Sequence, residues 1–339
     1  MIWQPDSSQP IRTAQADFLG VLLDQSAIAL DLGRQLMMAT YTLTTAQVEH
    51  FDTQGFLILR ASEHGLVEPD LLQQWASEVR SYPREKGKWM PYDEITSTGE
   101  RQIMRTENFA DYHDGFGSLL HGGRLAEILK QVTRDDMLLF KDKINYKLPG
   151  GNGFGAHLDA PAYDHIGQIE HTTANLAVDA ATVANGCVEV VRGSHKMHVE
   201  LAEGGRISEA WEANHQWVPV ELAPGDLLIF GSHLAHRSGP NKTNSSRASV
   251  YATYHMLCDG QDLREKYYAD RRENFPPDHG ESAGESTSTS EHCGTDTGLE
   301  RVPGKDYGAG VKRYAFAAPF TKVEATKTGL SELSVQEVA

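Results

Sequence analysis

The spacing of apolar positions changes along this chain, and the change divides it. Residues 1–41, around "ADFLGVLLDQSAIALDLGRQLMMA", read as an amphipathic helical extension. In "TYTLTTAQVEHFDTQGFLILR", Thr44 and Gln47 stand as reciprocal helix caps, Gly55 marks a stop, and "FLIL" predicts a strand. Residues 68–82 and 117–133 carry apolar positions three and four apart and predict helices. From about residue 137 the pattern shortens. "MLLFKDKINYKLPGG", "HTTANLAVDAAT", "GCVEVVRGSH", "WVPVEL", "GDLLIFGSHLAH" and "RASVYATYHML" are brief runs bounded by Gly, Pro or Asn, several alternating at period two. Strands at this density predict a mainly β fold, a sandwich or barrel with flanking helices, rather than a βαβ sheet. The polar stretch "GESAGESTSTSEHCGTDTGLE" over 280–300 predicts a disordered insertion, and 301–339 a C-terminal segment and tail.

Composition narrows the partners. With 339 residues, 40% hydrophobic and 23% charged, the chain has the make-up of a soluble globular protein. Its best apolar candidate for a membrane span, residues 19–33, is interrupted by Asp24 and Asp31. The N-terminus lacks the basic start and apolar stretch of a signal peptide, so a cytoplasmic location is expected. Three widely spaced cysteines suit a reducing compartment and argue against a disulfide framework or a cysteine zinc site. Lys+Arg 31 against Asp+Glu 47 gives −16, a surface that repels nucleic acid and anionic membranes. A small-molecule substrate is the expected partner. The N-terminal extension is read as a cover for the barrel or a homodimer contact, and the sequence does not choose.

The segment "GFGAHLDAPAYDH", residues 153–165, puts His157 and Asp159 two apart beside glycines. On a strand, alternate side chains share a face, so both would point into one space. They are then either ordinary polar residues at a strand end or two of three protein ligands of a metal. A lone H-x-D arises by chance in any strand. The second half of the chain strengthens the metal reading. "APGDLLIFGSHLAHRSGPNKTNSSRASVYATYH" runs through an apolar strand into His236, crosses a turn, and returns through Arg247. Two His and one carboxylate on one face of an octahedron leave open positions and suit non-haem Fe(II). Arg247 offers a planar fork for a carboxylate, and Ser249 shares its face by alternation. His233 stands three before His236 and cannot share its strand face.

These motifs, in this order, resemble the phytanoyl-CoA dioxygenase-like family, a branch of the Fe(II)/2-oxoglutarate oxygenases. "LTTAQVEHFDTQGFLIL" is similar to the family's opening helix and strand, "NYKLPGG" to the strand before the metal motif, and "NGCVEVVRGSHK" to the segment between ligands. The resemblance spans roughly residues 42–260, within a domain read as 42–279. It implies a double-stranded β-helix core (jelly-roll, cupin-like), with His157, Asp159 and His236 as iron ligands. It also implies 2-oxoglutarate and O2 as cosubstrates, with Arg247 and Ser238 on the distal carboxylate of 2-oxoglutarate. Lys143 and Asn145 resemble positions that ectoine hydroxylases use around 2-oxoglutarate. The activity implied is oxidation of an unactivated C–H, by hydroxylation, desaturation or ring closure, with release of succinate and CO2. Asp159 itself argues against halogenation, because related halogenases carry a small residue there.

Asn175 stands where some family members have tryptophan, which implies a reshaped pocket and argues against a long-chain acyl-CoA substrate. "RTENFADYHDGF" and "REKYYADRRENFPPD" look like members acting on small amines, notably 2-aminoethylphosphonate dioxygenases. A small amine, amino acid or secondary metabolite is the expected substrate. Arg105, Asn108, His165 and Asn175 are candidate substrate contacts, and His171 lies near them. Trp89, Tyr92 and Tyr163 suit a pocket lining or a core equally. His195 reads as a loop hydrogen bonder and His255 as structural. Two rival classes remain open on sequence: an oxygenase acting on a protein side chain, and an inactive β-barrel binding protein.

Overall fold

A computed structural model describes residues 41–278 except 96–98, 168 and 203–204. The helical extension read up to residue 41 (save Tyr41 itself), the insertion at 280–300 and the tail at 301–339 lie outside the described residues.

The first helix, α1 (Thr45–Gln54), starts and stops as its sequence predicts. The Thr44 hydroxyl accepts from the Gln47 backbone N–H, and the Gln47 side chain accepts from the Thr44 N–H at 2.8 Å. Gly55 ends the helix at φ 84°, in the left-handed region that favours glycine, and β1 (Phe56–Leu59) follows at once. Short α2 (Ala61–His64) leads to α3 (Pro69–Arg80). The single helix expected over 117–133 is instead two, α4 (Asp114–Leu120) and α5 (Gly123–Thr133). Gly122 between them adopts an extended ψ of 154°, which breaks the ladder. On α5, Leu125, Ile128, Leu129 and Val132 repeat at three- and four-residue intervals, and all are buried. Burial of each contributes about 1.5–3 kcal/mol against solvent exposure.

Among the described residues, every strand pairing within the two sheets is antiparallel. A seven-stranded sheet has the order β1-β9-β6-β11-β4-β3-β2, and a four-stranded sheet the order β5-β10-β7-β8. The strands are β2 (Met90–Ile95), β3 (Arg101–Glu107), β4 (Met137–Lys147), β5 (Phe154–His157), β6 (His171–Ala177), β7 (Val188–Val190), β8 (Val218–Val220), β9 (Leu227–Gly231), β10 (His236–Ser238) and β11 (Arg247–Met256). Two sheets facing each other across an interior, with helices outside, make the jelly-roll expected. Short α6 (Glu209–Ala213) precedes β8, and α7 (Leu263–Asn274) closes the described chain. Among the described residues, no helix is long and apolar enough to cross a membrane.

The hairpin β2–β3 and helix α7 are elements the apolar pattern did not announce. In β2 and β3 charged residues interrupt the alternation: Asp93 is held by Arg84 and Arg101 through ion pairs of 2.6 and 2.7 Å. The long pair β4–β11 organises the interior. Ile144 and Tyr146 of β4 enter the helix-covered core, so Lys143, Asn145 and Lys147 take the opposite face. A bulge opposite Thr253 and Tyr254 leaves Phe140 as the extra residue of β4. Leu139 therefore joins the helix-covered core, while Phe140 packs with Tyr163 and Tyr267.

Candidate metal centre and active site

Strands β5 and β10 lie side by side, with His157 and His236 as register partners. Both imidazoles are oriented by the same local device. His157 Nδ1 donates to the Gly155 carbonyl at 2.7 Å, and His236 Nδ1 donates to the Leu234 carbonyl at 2.9 Å. A carbonyl only accepts, so each Nδ1 carries a proton, and in the neutral ring Nε2 then presents its lone pair. The rings lie 4.2 Å apart between centroids, and His157 Nε2 is 3.8 Å from an Asp159 oxygen. One ligand atom from each of His157, Asp159 and His236 falls within 4.8 Å of the others.

Asp159 reaches this point by a route other than strand alternation. Strand β5 ends at His157, and Asp159 already has helical dihedrals (φ −76°, ψ −29°) at the head of a 3₁₀ turn over Ala160–Tyr163. The backbone N–H groups of Asp159 and Ala160 both donate to the Ser232 carbonyl, at 3.0 Å each. That clamp turns the carboxylate toward the imidazoles.

Electrostatics suit a cation here. Burial, then the neighbouring His236, push His157 down to about 3, so it is neutral across the physiological range. Burial alone would raise the Asp159 carboxyl. His236, Lys141, His157 and Lys143 outweigh it and hold the group well below the usual carboxylate range. Two imidazole nitrogens and one carboxylate, converging on one side, fit a divalent transition metal with open positions opposite.

These groups form one wall of a cavity of about 900 Å³, counting its mouth. The expected Lys143, Asn145, Ser238 and His165 line it. Lys141, Tyr251, Tyr267 and Arg271 also line it and were not anticipated. Lys141 carried a readable signal, since it stands two before Lys143 on β4. Tyr267 and Arg271 come from α7, within the stretch "REKYYADRRENFPPD", whose resemblance to members acting on small amines is the one signal that marks them. Tyr163, left open between lining and core, lines the cavity. His165 Nε2 donates to Asp270 at 3.1 Å, fastening the turn after Asp159 to α7.

A smaller space of about 350 Å³ adjoins, sharing Asn145, Phe154, Ser238 and Tyr251 and reaching Arg247. Arg247 is buried and held on three sides. Its Nε donates to Asn185 O at 3.1 Å, Nη2 to Gly186 O, and Nη1 to Ser249 Oγ at 3.1 Å. Of the five guanidinium N–H donors these use three, and the Tyr251 hydroxyl is a further hydrogen-bonding neighbour of the guanidinium. Ser249 thus serves Arg247 and lines neither cavity.

Three expected substrate contacts lie off the cavity. Arg105 is buried in an ion pair, Nε 3.0 Å from Glu107, beneath the Tyr92 ring. Arg271 approaches the same carboxylate at 3.2 Å, so Glu107 joins two guanidinium groups. Asn108 has φ 56° and is fixed by a bond to Lys88 O and one from Arg264. Asn175 sits opposite Tyr251 in the sheet and donates to Val250 O at 3.4 Å. Each is consumed by the scaffold. Trp89 and Tyr92 do the same, donating to Pro83 O and Phe275 O. His233 is exposed, 3.5 Å from Glu170. His195 bonds to the Asp52 carbonyl and His255 to Met256 O. His171 is buried against Phe140 and Tyr163 outside the lining.

The family described as phytanoyl-CoA dioxygenase (PhyH) matches residues 51–249. Dioxygenase lolE1 of Epichloe uncinata is 41% identical over 239 residues, spanning 70% of this chain and 92% of that protein. The 2-aminoethylphosphonate dioxygenase of Uncultured bacterium HF130_AEPn_1 is 34% identical over 278 residues, 81% of this chain and 98% of that one. The crystal structure of EctD from S. alaskensis with 2-oxoglutarate and 5-hydroxyectoine superposes with a TM-score of 0.55 at 20% identity, covering 64% of this chain and 77% of that one. At that identity the superposition speaks for the fold.

Proposed function

The chain belongs to the phytanoyl-CoA dioxygenase (PhyH) family of Fe(II)- and 2-oxoglutarate-dependent dioxygenases, and from that premise we propose that it hydroxylates a C–H bond of a small molecule bearing a compact anionic group, a phosphonate or carboxylate on a frame of amino-acid size. In this reading His157, Asp159 and His236 hold the iron, and Arg247 with Ser238 takes the distal carboxylate of 2-oxoglutarate. When bound, Fe(II) and 2-oxoglutarate use dioxygen to put one oxygen atom into the substrate and release succinate and CO2. The chain's own residues orient, exclude water and match charge. The Gly155 and Leu234 carbonyls keep both imidazoles in the tautomer that presents Nε2.

The observation that carries the substrate class is a pair of ammonium groups on the cavity wall. Lys141 Nζ lies 4.2 Å over the Tyr163 ring, and Lys143 Nζ 5.1 Å over the Tyr251 ring. Among the described residues neither makes a salt bridge or hydrogen bond to protein. A buried charge with no acid in hydrogen-bond contact is costly, and Asp159 and Glu107 offset only part of that cost. Burial, then Lys143, pull Lys141 down to about 7, and burial, then Arg105, pull Lys143 down to about 8. A bound anion relieves both. The relative named as a 2-aminoethylphosphonate dioxygenase acts, by that name, on a molecule of this class.

The test is succinate release above the uncoupled background with amino-phosphonates and amino acids, set against size-matched neutral amides and alcohols. Stimulation confined to the anions, with KM raised in Lys141→Met and Lys143→Met, is the expected result. Equal stimulation by neutral compounds would overturn the substrate class.

A further inference from the structure

One buried cation at the Arg247 end of the cavity has no role in the scheme above. Lys147 ends β4, faces Arg247 across the β4–β11 register, and is only 5% exposed. An ammonium has three N–H donors and no acceptor. All three are engaged: Nζ donates to Gly239 O at 2.6 Å, to Ser238 Oγ at 2.9 Å and to Gly186 O at 3.2 Å. Lys147 therefore has no donor left for a ligand, and its influence passes to Ser238. That hydroxyl accepts from Lys147 and, at 3.4 Å, from the Phe154 N–H. With both acceptor positions engaged, its single proton must be given away. No protein acceptor takes it among the described residues, and Ser238 lines both cavities.

Resting on the reading that the distal carboxylate of 2-oxoglutarate lies at Arg247, we propose that Lys147 is a positioning residue for cosubstrate recognition, holding Ser238 as an obligate donor to that carboxylate. The turn at Asn185–Gly186 ties the arrangement together, because the Gly186 carbonyl accepts from both Lys147 and Arg247. Gly186 has φ 74°, and a Cβ there would lie 2.1 Å from Gly239 O, so the turn takes glycine. Burial, then Arg247, pull Lys147 down to about 7, so a bound carboxylate favours its ammonium form, and a charge-assisted donor to its neighbour makes the hydroxyl proton a stronger donor in turn.

The test uses the full chain loaded with Mn(II) and held without turnover, with 2-oxoglutarate titrated by calorimetry. Lys147→Met is expected to weaken 2-oxoglutarate about tenfold, equal to about 1.4 kcal/mol. Ser238→Ala is expected to weaken it at least as much, and the double variant to be no weaker than Ser238→Ala alone, the non-additivity of two residues acting as one unit. Mn(II) affinity stays unchanged, as does the affinity for 2-oxobutyrate, which has the same chelating end and no distal carboxylate. Wild-type affinity for 2-oxoglutarate in Lys147→Met overturns the inference, and so does an equal loss of 2-oxobutyrate or Mn(II). If Lys147→Met does not fold, Ser238→Ala decides, and wild-type affinity there overturns it. Failure of the unaltered Mn(II) protein to bind 2-oxoglutarate at all would instead remove the dioxygenase assignment of the site, and this inference with it.

Discussion

The four-stranded sheet brings its groups to the cavity by short-range devices, whereas the seven-stranded sheet and α7 bring theirs across long sequence separations. His157 and His236 are each oriented by the carbonyl two residues before them, in strands of four and three residues. Opposite them, the Glu107 carboxylate of β3 is met by Arg105 and by Arg271 of α7, and His165 is tied to Asp270. The imidazole side is thus preset by local backbone. The cation-rich side depends on the whole fold being in place. Damage to the first should remove chemistry and spare the fold, while damage to the second should cost stability or substrate affinity first.

That contrast can be broken in order of expected effect. Asp159→Ala or His157→Ala should abolish substrate-dependent succinate formation, a loss of at least about 10³-fold if the iron is no longer held. The melting temperature should move little, and a metal titration alongside a thermal melt checks both halves. Glu107→Ala should do the opposite. It strands two buried guanidinium groups and should cost about 3–5 kcal/mol in urea unfolding. Glu107 also sets a pH dependence. Burial would raise its carboxyl, but Arg271 and Arg105 together lower it from 4.5 to about 2. The folded protein then keeps it ionised where the unfolded chain takes up a proton, so its stabilisation is complete above about pH 5 and is lost as pH falls from 4.5 toward 2. The difference in urea midpoint between the unaltered protein and Glu107→Gln should shrink across that window. A constant difference would contradict the ion-pair account.

Smaller effects sharpen the comparison. Lys143→Met should raise substrate KM about tenfold with kcat less affected, read from initial rates at saturating 2-oxoglutarate. His233→Ala, three residues from His236 but exposed, should change stability by less than about 0.5 kcal/mol and leave turnover intact.

The same division explains how much was legible in the sequence. Strands marked by short apolar runs between turn residues, such as β4, β9 and β11, and the capped start of α1 are legible directly, because their signals are local. The convergence of His157, Asp159 and His236 was anticipated from motif order, although the reason given for Asp159, strand alternation, gives way to a backbone clamp on Ser232. Arg105, Asn108 and Asn175 were read as substrate contacts because they are polar residues in apolar or motif-bearing text. Tertiary packing places them instead beside Glu107, Arg264 and Val250, off the cavity. Tyr267 and Arg271 lie in a stretch, 264–278, that stands out only by resemblance, and no local pattern brings them to the cavity. They lie on a helix of low apolar content, and its docking over β4 follows from no short-range pattern.

The most direct measurement is oxygen-dependent succinate formation by the purified Fe(II)-loaded protein with small anions, comparing the unaltered chain with Lys141→Met/Lys143→Met. The account predicts succinate formed in step with a hydroxylated anion, and loss of that stimulation in the double variant while background 2-oxoglutarate turnover persists. Stimulation that survives removal of both lysines would contradict it.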